Sequence, residues 1–433
     1  MNKTQKSRFR GRTALGAFIL VLALASFVQA AVLPKAKPAE VGLSAERLGR
    51  IGRVMQEYVD NDRVKGVVVL LMRNGKIAYH EAFGLLNPEK GTPMPVDAIF
   101  RVASQSKAVT TAAVMTLFEE GKFLLDDPVS KYIPELAETR VAVPVQEKGA
   151  AGYATVPAKR LITIRDLLTH TAGISYGDGP AREDYVKAGI FGWNLSAKDI
   201  TIGEYIKKLA AFPFDAQPGE RFVYGYNTDI LGYLVECVSG MSLAEYIEKK
   251  ITGPLAMTDT HFFLPESKVG RFTPVYGADE NGKLRLIEPS ADNPYVKGPR
   301  KCYAGGAGLL ATAENYARFL QMLLDGGELQ GVRVLGPKSV ELMTVDHVGS
   351  LYSGGSQGFG LGFWVTEKLG RTGLPGSVGA FGWGGAYYTT YWVDPVEKLV
   401  AVFMTQLLPA GAIDLQGKFK AMVYQSIVDS YER

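Results

Sequence analysis

Residues 100–107 read Phe-Arg-Val-Ala-Ser-Gln-Ser-Lys and lead directly into an apolar run at 108–118. That run is apolar almost all the way round a helix, which is typical of a helix buried on every side. Gly121 follows two glutamates as a helix stop. The stretch therefore predicts a buried helix over about 104–120, with Ser104 in its first turn.

Ser104 and Lys107 stand three residues apart and so share one face of that helix. A free serine hydroxyl is a weak nucleophile, and an adjacent amine can take its proton. A helix start also presents backbone N–H groups and a positive dipole end, which suit a developing oxyanion. The pattern Ser-x-x-Lys occurs once in the chain, which is about as often as chance would produce it in a sequence of this length. The buried helix start, rather than the spacing, favours a catalytic pair.

The first thirty residues have the three-part layout of a secretory signal peptide. Basic side chains between positions 3 and 12 precede an apolar run at 14–28, and Val28-Gln29-Ala30 is a typical cleavage site. We predict a signal peptide over 1–30, a periplasmic or secreted mature protein and no stable membrane anchor; an uncleaved anchor is the alternative. Removing this segment lowers the formal net charge from +4 to −1, because it holds five basic and no acidic side chains. The mature chain therefore has no electrostatic footprint for nucleic acid.

Strand signals lie near both ends of the chain, with helical signals between them. Asn74-Gly75 separates two strand-like runs, as in a β-hairpin, and further strand-like runs are found at 359–365, 386–393 and 399–404. From 104 to about 250 the pattern is mainly helical, with capping boxes that begin at Thr163, Thr201 and Ser242.

This order predicts an α/β (α+β) fold with a mixed, mostly antiparallel sheet. The sheet lobe comprises about 31–100 and 265–433 and is flanked by helices, and a mainly helical lobe over about 101–264 is inserted in it. We expect the active site in the cleft between the two lobes.

Two further stretches carry candidate chemistry. Tyr224 and Tyr226 precede a predicted helix, and a tyrosine beside a Ser–Lys pair can act as a general base. Trp383-Gly384-Gly385-Ala386 precedes a tyrosine-rich run, and its glycines would let a strand edge approach a substrate closely. The alternative for each aromatic residue is ordinary packing.

Other motifs point away from different chemistries. Ser175 and Ser356 lie in G-x-S-x-G matches, the pattern of a nucleophile elbow. Ser175 lacks the strand-then-helix setting that the elbow requires, and no histidine follows Ser356. The four histidines show no metal-binding spacing, and His170 is interpreted as a loop brace. Cys237 is interpreted as a core residue, and we expect no disulfide between it and Cys302.

Five stretches together resemble the class C β-lactamase-like serine hydrolases of the penicillin-binding-protein/β-lactamase superfamily, and within them the family VIII carboxylesterases. They are residues 100–107, 126–129, 167–173, 305–309 and 383–385. The resemblance implies a β-lactamase/transpeptidase-like fold and a serine hydrolase that forms an acyl-enzyme. It implies that Ser104 is the nucleophile, Lys107 its activating partner and Tyr224 the general base or proton shuttle. It also implies an oxyanion hole made by the backbone N–H groups of Ser104 and Ala386.

Two departures from the family pattern narrow the range of expected substrates. The β-lactamase pattern Tyr-x-Asn is not kept, because Tyr226 stands two residues after Tyr224 and the asparagine is Asn227. The Lys-Thr-Gly that engages a substrate carboxylate is replaced by residues 383–385. A charge-assisted contact of that kind contributes about 1.5–3 kcal/mol, so its loss favours a neutral ester. We expect five residues to contact the substrate: Trp383, Gly384, Gly385, Tyr176 and Asn227. Four further aromatic residues are expected to form part of the wall of an acyl pocket: Phe191, Trp193, Tyr387 and Tyr388.

The sequence thus predicts an exported serine hydrolase that cleaves carboxylic esters with short-to-medium acyl groups through a Ser104 acyl-enzyme. One alternative is β-lactamase or D,D-peptidase/amidase activity with the same Ser-Lys-Tyr site. The other is a non-catalytic envelope protein on the same scaffold. The expected partner is a small ester or β-lactam-like molecule, and no metal or other cofactor is expected.

Overall fold

A computed structural model describes residues 32–145 and 152–431, so the predicted signal peptide lies outside the described residues. The chain divides into the segment Met1–Ala31 and one compact unit, Val32–Arg433. In the described part of that unit the strands are β1 Gly66–Arg73, β2 Lys76–Asn87, β3 Thr92–Pro93, β4 Phe100–Arg101, β5 Arg140–Pro144, β6 Tyr153–Pro157, β7 Val275–Ala278, β8 Leu284–Glu288, β9 Leu310–Ala311, β10 Glu328–Leu329, β11 Val332–Arg333, β12 Gly358–Phe359, β13 Trp364–Val365, β14 Phe381–Gly385, β15 Thr389–Asp394 and β16 Leu399–Met404.

The α-helices of the same part are α1 Ala45–Asp60, α2 Ser106–Glu119, α3 Ile164–Leu168, α4 Arg182–Lys187, α5 Ile202–Ala210, α6 Asn227–Ser239, α7 Leu243–Ile247, α8 Pro294–Lys297, α9 Ala313–Leu324, α10 Pro337–Met343 and α11 Leu415–Gln425. A π-helical segment, Glu248–Thr252, continues α7. Short 3-10 helices occur at Pro38–Val41, Ala103–Gln105, Val129–Lys131, Pro134–Leu136, Glu266–Arg271, Gly349–Leu351 and Ser353–Gly355.

The main sheet has eight antiparallel strands in the order β12-β13-β14-β15-β16-β1-β2-β3. The last strands of the chain therefore pair with the first, because β16 lies beside β1. This confirms the predicted mixed fold with a mostly antiparallel sheet built from both ends of the chain. The predicted hairpin is also present: Asn74 and Gly75 both have positive φ between β1 and β2, as a tight turn of this kind requires.

Strand β1 is buried along its whole length and separates two apolar cores. Val68, Leu70 and Met72 belong to the larger core, which also holds the apolar side chains of α2. The alternate residues Val67, Val69 and Leu71 belong to the smaller core, which is covered by α1 and α11. Because successive side chains of a strand point to opposite faces, one strand serves both cores. The larger core fixes α2, and with it the Ser104 turn, against the sheet.

The local predictions were accurate where capping chemistry or strict apolar runs defined the element. Thr163, Thr201 and Ser242 each form a complete capping box, and β16 spans the predicted 399–404. The region 104–250 is mainly helical, as predicted, but also contains the hairpin β5–β6. Two strand predictions were wrong. The run 359–365 is not one strand, because residues 360–363 separate β12 from β13. Strand β15 begins only at Thr389, because residues 386–388 form the turn that follows β14.

Candidate active site

Ser104 lies in a single 3-10 turn directly before α2 rather than inside the α-helix. The preceding residue, Ala103, has φ of +43°, a left-handed conformation that is strained for a residue with a Cβ. Ala103 and Gln105 are buried, whereas Ser104 is partly exposed. The strained turn therefore presents the Ser104 hydroxyl to the cleft while its neighbours stay in the core.

Lys107 is almost completely buried, with 1% of its surface exposed, and its ammonium group reaches three oxygen atoms. Nζ lies 3.2 Å from Ser104 Oγ and donates to Tyr176 OH at 3.0 Å and to the carbonyl of Gly306 at 2.8 Å. Three contacts match the three donors of an ammonium group. The sequence-predicted Ser104–Lys107 pair is thus within hydrogen-bond distance, and Tyr176 joins it.

Tyr224 is placed by its ring and by its hydroxyl group. Lys107 Nζ lies 4.6 Å from the centroid of the Tyr224 ring, and the Trp383 indole N–H donates to Tyr224 OH at 3.1 Å. A cation near the ring and an N–H donor at the oxygen both stabilise negative charge that develops on that oxygen. In its phenolate form the Tyr224 oxygen is therefore equipped to accept a proton during a reaction.

Asn227 does not reach the cleft, contrary to the expectation that it binds substrate. It is fully buried, and Nδ2 lies 2.9 Å from His170 Nδ1 and donates to the carbonyls of Ile174 and Val223 at 3.1 Å. These contacts use the amide to join α6 to the loop after α3. Asn227 therefore has a bracing function in the fold.

His170 and Tyr226 are also braces. The His170 ring packs 4.7 Å from the Tyr224 ring, and burial together with the nearby Lys107 holds the pKa of His170 well below its usual value. Tyr226, at the position of the family's asparagine, is buried and donates to the Gly192 carbonyl at 2.7 Å. It thereby fixes the loop that carries Trp193.

The edge of β14 forms the wall opposite Tyr224. Strand β13 pairs only with Phe381 and Gly382, so within the described residues β14 has no strand beside its outer edge from Trp383 to Gly385. A Cβ on Gly385 would lie 2.4 Å from the Val102 carbonyl. The glycine therefore lets this edge come against the Ser104 turn, as an oxyanion hole made from Ser104 and Ala386 requires.

The cleft around Ser104 has a volume of about 540 Å³ and an aromatic, uncharged lining. Its lining residues are Ser104, Tyr176, Trp193, Tyr224, Trp364, Trp383, Gly384, Gly385, Ala386, Tyr388, Thr389, Thr390 and Gln416. The structure thus brings together every predicted catalytic, oxyanion-hole and substrate-contact residue except Asn227, with Lys107 directly beneath the lining.

Two of the aromatics expected in the acyl pocket lie elsewhere. Tyr387 is fully buried beneath the turn. The Arg182 guanidinium covers the Phe191 ring at 4.5 Å, and this ring is not part of the cleft lining. Trp193 and Tyr388 do line the cleft.

The remaining sequence candidates have structural explanations. Ser175 Oγ accepts the Gly177 N–H at 3.0 Å in a loop turn, and Ser356 Oγ donates to the Ser353 carbonyl, so neither lies on a strand-to-helix elbow. Cys237 is exposed rather than in the core, and both it and Cys302 are free thiols. Within the described residues no group of three or more His, Cys, Asp and Glu side chains could hold a metal ion.

Five residues of the site and its surroundings were missed from the sequence. Four of them line the cleft from β13, β15 and α11: Trp364, Thr389, Thr390 and Gln416. The fifth, Asp229, lies behind Lys107 in the first turn of α6. An acidic residue in the first turn of a helix is common for reasons of the helix dipole alone. The only signal in the sequence was that Asp229 is followed by the apolar run Ile230-Leu231.

Comparisons with known proteins find a matching family model and related proteins. The Beta-lactamase family model matches residues 51–419. Protein Rv1367c of Mycobacterium tuberculosis is 35% identical over 378 residues, which cover 83% of this chain and 90% of that protein. Esterase EstB of Burkholderia gladioli is 28% identical over 393 residues, 86% of this chain and 94% of EstB. The solved structure of EstCE1, a hydrolase with promiscuous acyltransferase activity, superposes with a TM-score of 0.74 at 27% identity and covers 88% of this chain and 98% of EstCE1.

Proposed function

Because the chain belongs to the Beta-lactamase family of serine hydrolases, we propose that it is an exported esterase. It hydrolyses neutral carboxylic esters with short-to-medium acyl groups through an acyl-enzyme on Ser104. The similarity to the esterase EstB and to the hydrolase EstCE1 supports the reaction class. The residues of the cleft support the preference for a neutral substrate.

One observation carries the substrate assignment: no Lys, Arg, Asp or Glu side chain is among the residues that line the cleft. A substrate carboxylate, as in a D-Ala-D-Ala end or a β-lactam, needs a cationic partner when it leaves water. Lys107 cannot serve, since its three donors already contact Ser104, Tyr176 and Gly306. Trp383 stands where the family places the carboxylate-binding lysine, and its N–H is used by Tyr224.

The geometry supports the following reaction. The Ser104 oxygen attacks the ester carbonyl carbon while its proton passes to the Tyr224 oxygen, which reacts as a phenolate beside the Lys107 ammonium. The carbonyl oxygen takes the negative charge against the N–H groups of Ser104 and Ala386. The tetrahedral intermediate collapses, the C–O bond to the alcohol breaks, and the leaving alkoxide takes the proton. Water then repeats the sequence on the acyl-enzyme, releasing the carboxylic acid and restoring Ser104.

The substrate preference is tested with purified protein and a matched panel. We expect the kcat/KM for p-nitrophenyl butyrate to exceed that for nitrocefin, and for a diacyl-Lys-D-Ala-D-Ala peptide, by about 10- to 100-fold or more, the contribution of one charge-assisted contact. Equal or better turnover of nitrocefin or of the peptide would make the alternative, β-lactamase or D,D-peptidase activity, the correct one. Absence of turnover and of any covalent adduct across the panel would instead indicate a non-catalytic envelope protein.

The export component of the proposal is tested separately. We expect the protein, expressed from its full-length gene in a bacterium, to be recovered from the periplasm or medium without residues 1–30, since those residues have the layout of a signal peptide. Intact-mass spectrometry of the recovered protein gives the cleavage position. A cytoplasmic protein of full mass would contradict this prediction, and a full-length membrane-bound form would indicate an uncleaved anchor.

A further inference from the structure

Asp229 is a buried carboxyl group that the reaction above does not use. It lies in the first turn of α6 with 1% of its surface exposed. Oδ1 accepts the Gly306 N–H at 2.9 Å. The Gly306 carbonyl in turn accepts the Lys107 ammonium at 2.8 Å. Asp229 is therefore linked to Lys107 through the backbone of a single glycine.

The backbone at Gly306 is held between the two charged groups. A Cβ on Gly306 would lie 2.5 Å from Asp229 Oδ2, so only glycine lets the carboxyl group approach this closely. Thr110 of α2 donates to the preceding Gly305 carbonyl at 2.9 Å and fixes the loop from the other side. The carboxyl group of Asp229 is otherwise enclosed in the protein interior. Lys107, at the far side of Gly306, is the cation whose charge acts on it.

We infer that Asp229 is a positioning residue for the Ser104–Lys107 pair, which holds the Gly306 carbonyl against the Lys107 ammonium and balances its charge in the protein interior. The inference rests on the proposed function of that pair. A neutral group in place of the carboxylate would no longer attract the Lys107 ammonium across Gly306, so the ammonium would be held less firmly beside Ser104. The ionised form of Asp229 is therefore the working form.

The ionisation state of Asp229 changes within an accessible pH range. Burial raises its pKa to about 6, and Lys107 and the Gly306 N–H oppose that rise. Five other titratable groups whose charges act on Asp229, or on Lys107 beside it, keep one form near that pH, because burial raises the pKa of each phenol and thiol and lowers that of the imidazole. They are Tyr176, Tyr205, Tyr226, Cys302 and His170. Activity is thus expected to fall as pH falls through about 6, because Asp229 then takes up a proton.

The same ionisation has the opposite effect on stability. A carboxyl group whose folded-state pKa is raised above its unfolded value stabilises the fold at low pH, and this contribution is lost as pH rises through the folded pKa. The wild-type protein above pH 6 therefore carries a buried charge that lowers its stability. A neutral isostere would remove that cost and slow the reaction.

Asp229→Asn tests this pair of effects, since asparagine keeps an oxygen acceptor for the Gly306 N–H. Glu236→Gln is the matched control: Glu236 lies on the same helix, has a pKa raised by burial and accepts the Leu243 N–H at 2.9 Å, away from Lys107. The measurements are kcat and KM for p-nitrophenyl butyrate, the rate at which a fluorophosphonate labels Ser104, and the thermal unfolding midpoint, each from pH 4.5 to 8.5.

For Asp229→Asn we expect kcat at pH 8 to fall about tenfold or more, the effect of one hydrogen-bonded charge, with little change in KM. The activity loss near pH 6 should disappear, and the unfolding midpoint at pH 8 should equal or exceed that of the wild type. Glu236→Gln should keep the wild-type activity profile. The inference would be overturned if Asp229→Asn kept the wild-type kcat and still lost activity below pH 6. It would also be overturned if the loss of activity in Asp229→Asn followed a lower unfolding midpoint.

Failure of the proposed function is distinguishable from failure of this inference. If the wild type hydrolyses no ester, the labelling rate of Ser104 still reports the activation of the serine as a function of pH. A labelling rate that falls below pH 6 in the wild type and not in Asp229→Asn supports the inference without ester turnover. Identical labelling profiles of the two proteins would contradict it.

Discussion

Alanine at position 104 is expected to lower kcat for ester hydrolysis by about 10⁴- to 10⁶-fold, because no other group can form the acyl-enzyme. Ser104 is the cleft-lining hydroxyl that lies 3.2 Å from Lys107 Nζ. The variant should fold normally, since the serine is partly exposed and alanine is tolerated at a helix start. The measurement is p-nitrophenyl butyrate turnover together with intact-mass detection of a fluorophosphonate adduct.

Two serines outside the cleft lining, Ser175 and Ser356, provide matched controls for this prediction. Ser175→Ala and Ser356→Ala remove the serines of the G-x-S-x-G matches, whose hydroxyl groups serve local turns. Both variants should keep wild-type kcat within a few-fold and should still bind one fluorophosphonate. A Ser104→Ala protein that is still labelled, or a control variant that loses labelling, would place the nucleophile elsewhere.

Phenylalanine at position 224 is expected to lower kcat by about 10²- to 10⁴-fold, the usual contribution of a general base. The Trp383 N–H at the Tyr224 oxygen and the Lys107 ammonium over its ring stabilise the phenolate that takes up the serine proton. Phenylalanine keeps the ring packing and removes only the hydroxyl group. Steady-state and burst kinetics with p-nitrophenyl butyrate would show whether acylation is the step that slows.

Tyr176→Phe is the matched control, because Tyr176 also lies beside Lys107, with its OH at 3.0 Å from Nζ. Burial and the neighbouring Tyr224 and Asp229 raise the pKa of Tyr176 well above its usual value, so it remains a neutral phenol. Its loss should cost about tenfold, the effect of one hydrogen bond to a charged group. A larger loss in Tyr176→Phe than in Tyr224→Phe would assign the proton transfer to Tyr176 instead.

The sequence identified the site residues that lie within one local motif. Ser104 and Lys107 are three residues apart at a helix start, so their proximity follows from helix geometry alone. The uniformly apolar α2 could likewise be predicted as buried. The strain at Ala103 could not, because its positive φ is imposed by packing of the turn against β14 and not by the preference of alanine.

Residues that depend on neighbouring segments were predicted less well. Asn227 was placed in the cleft from its position after Tyr224, but a single-residue offset on a helix start rotates a side chain by about 100°. It therefore meets His170 and Ile174 rather than the substrate. Tyr387 and Phe191 were expected in the acyl pocket because they are aromatic, a property that does not determine which side of a loop they occupy.

What the sequence determined by itself is the family, the mixed sheet built from both ends of the chain, and the Ser104–Lys107 pair, since each depends on motifs or periodicity within short segments. Only the tertiary structure decided the surroundings of that pair. It brought Tyr176, Tyr224 and Trp383 to the nucleophile, left the cleft lining without charged side chains, and linked Asp229 to Lys107 through Gly306. The physical reason is that these contacts join residues distant in the chain, and their geometry is set by how the sheet and the helices pack together.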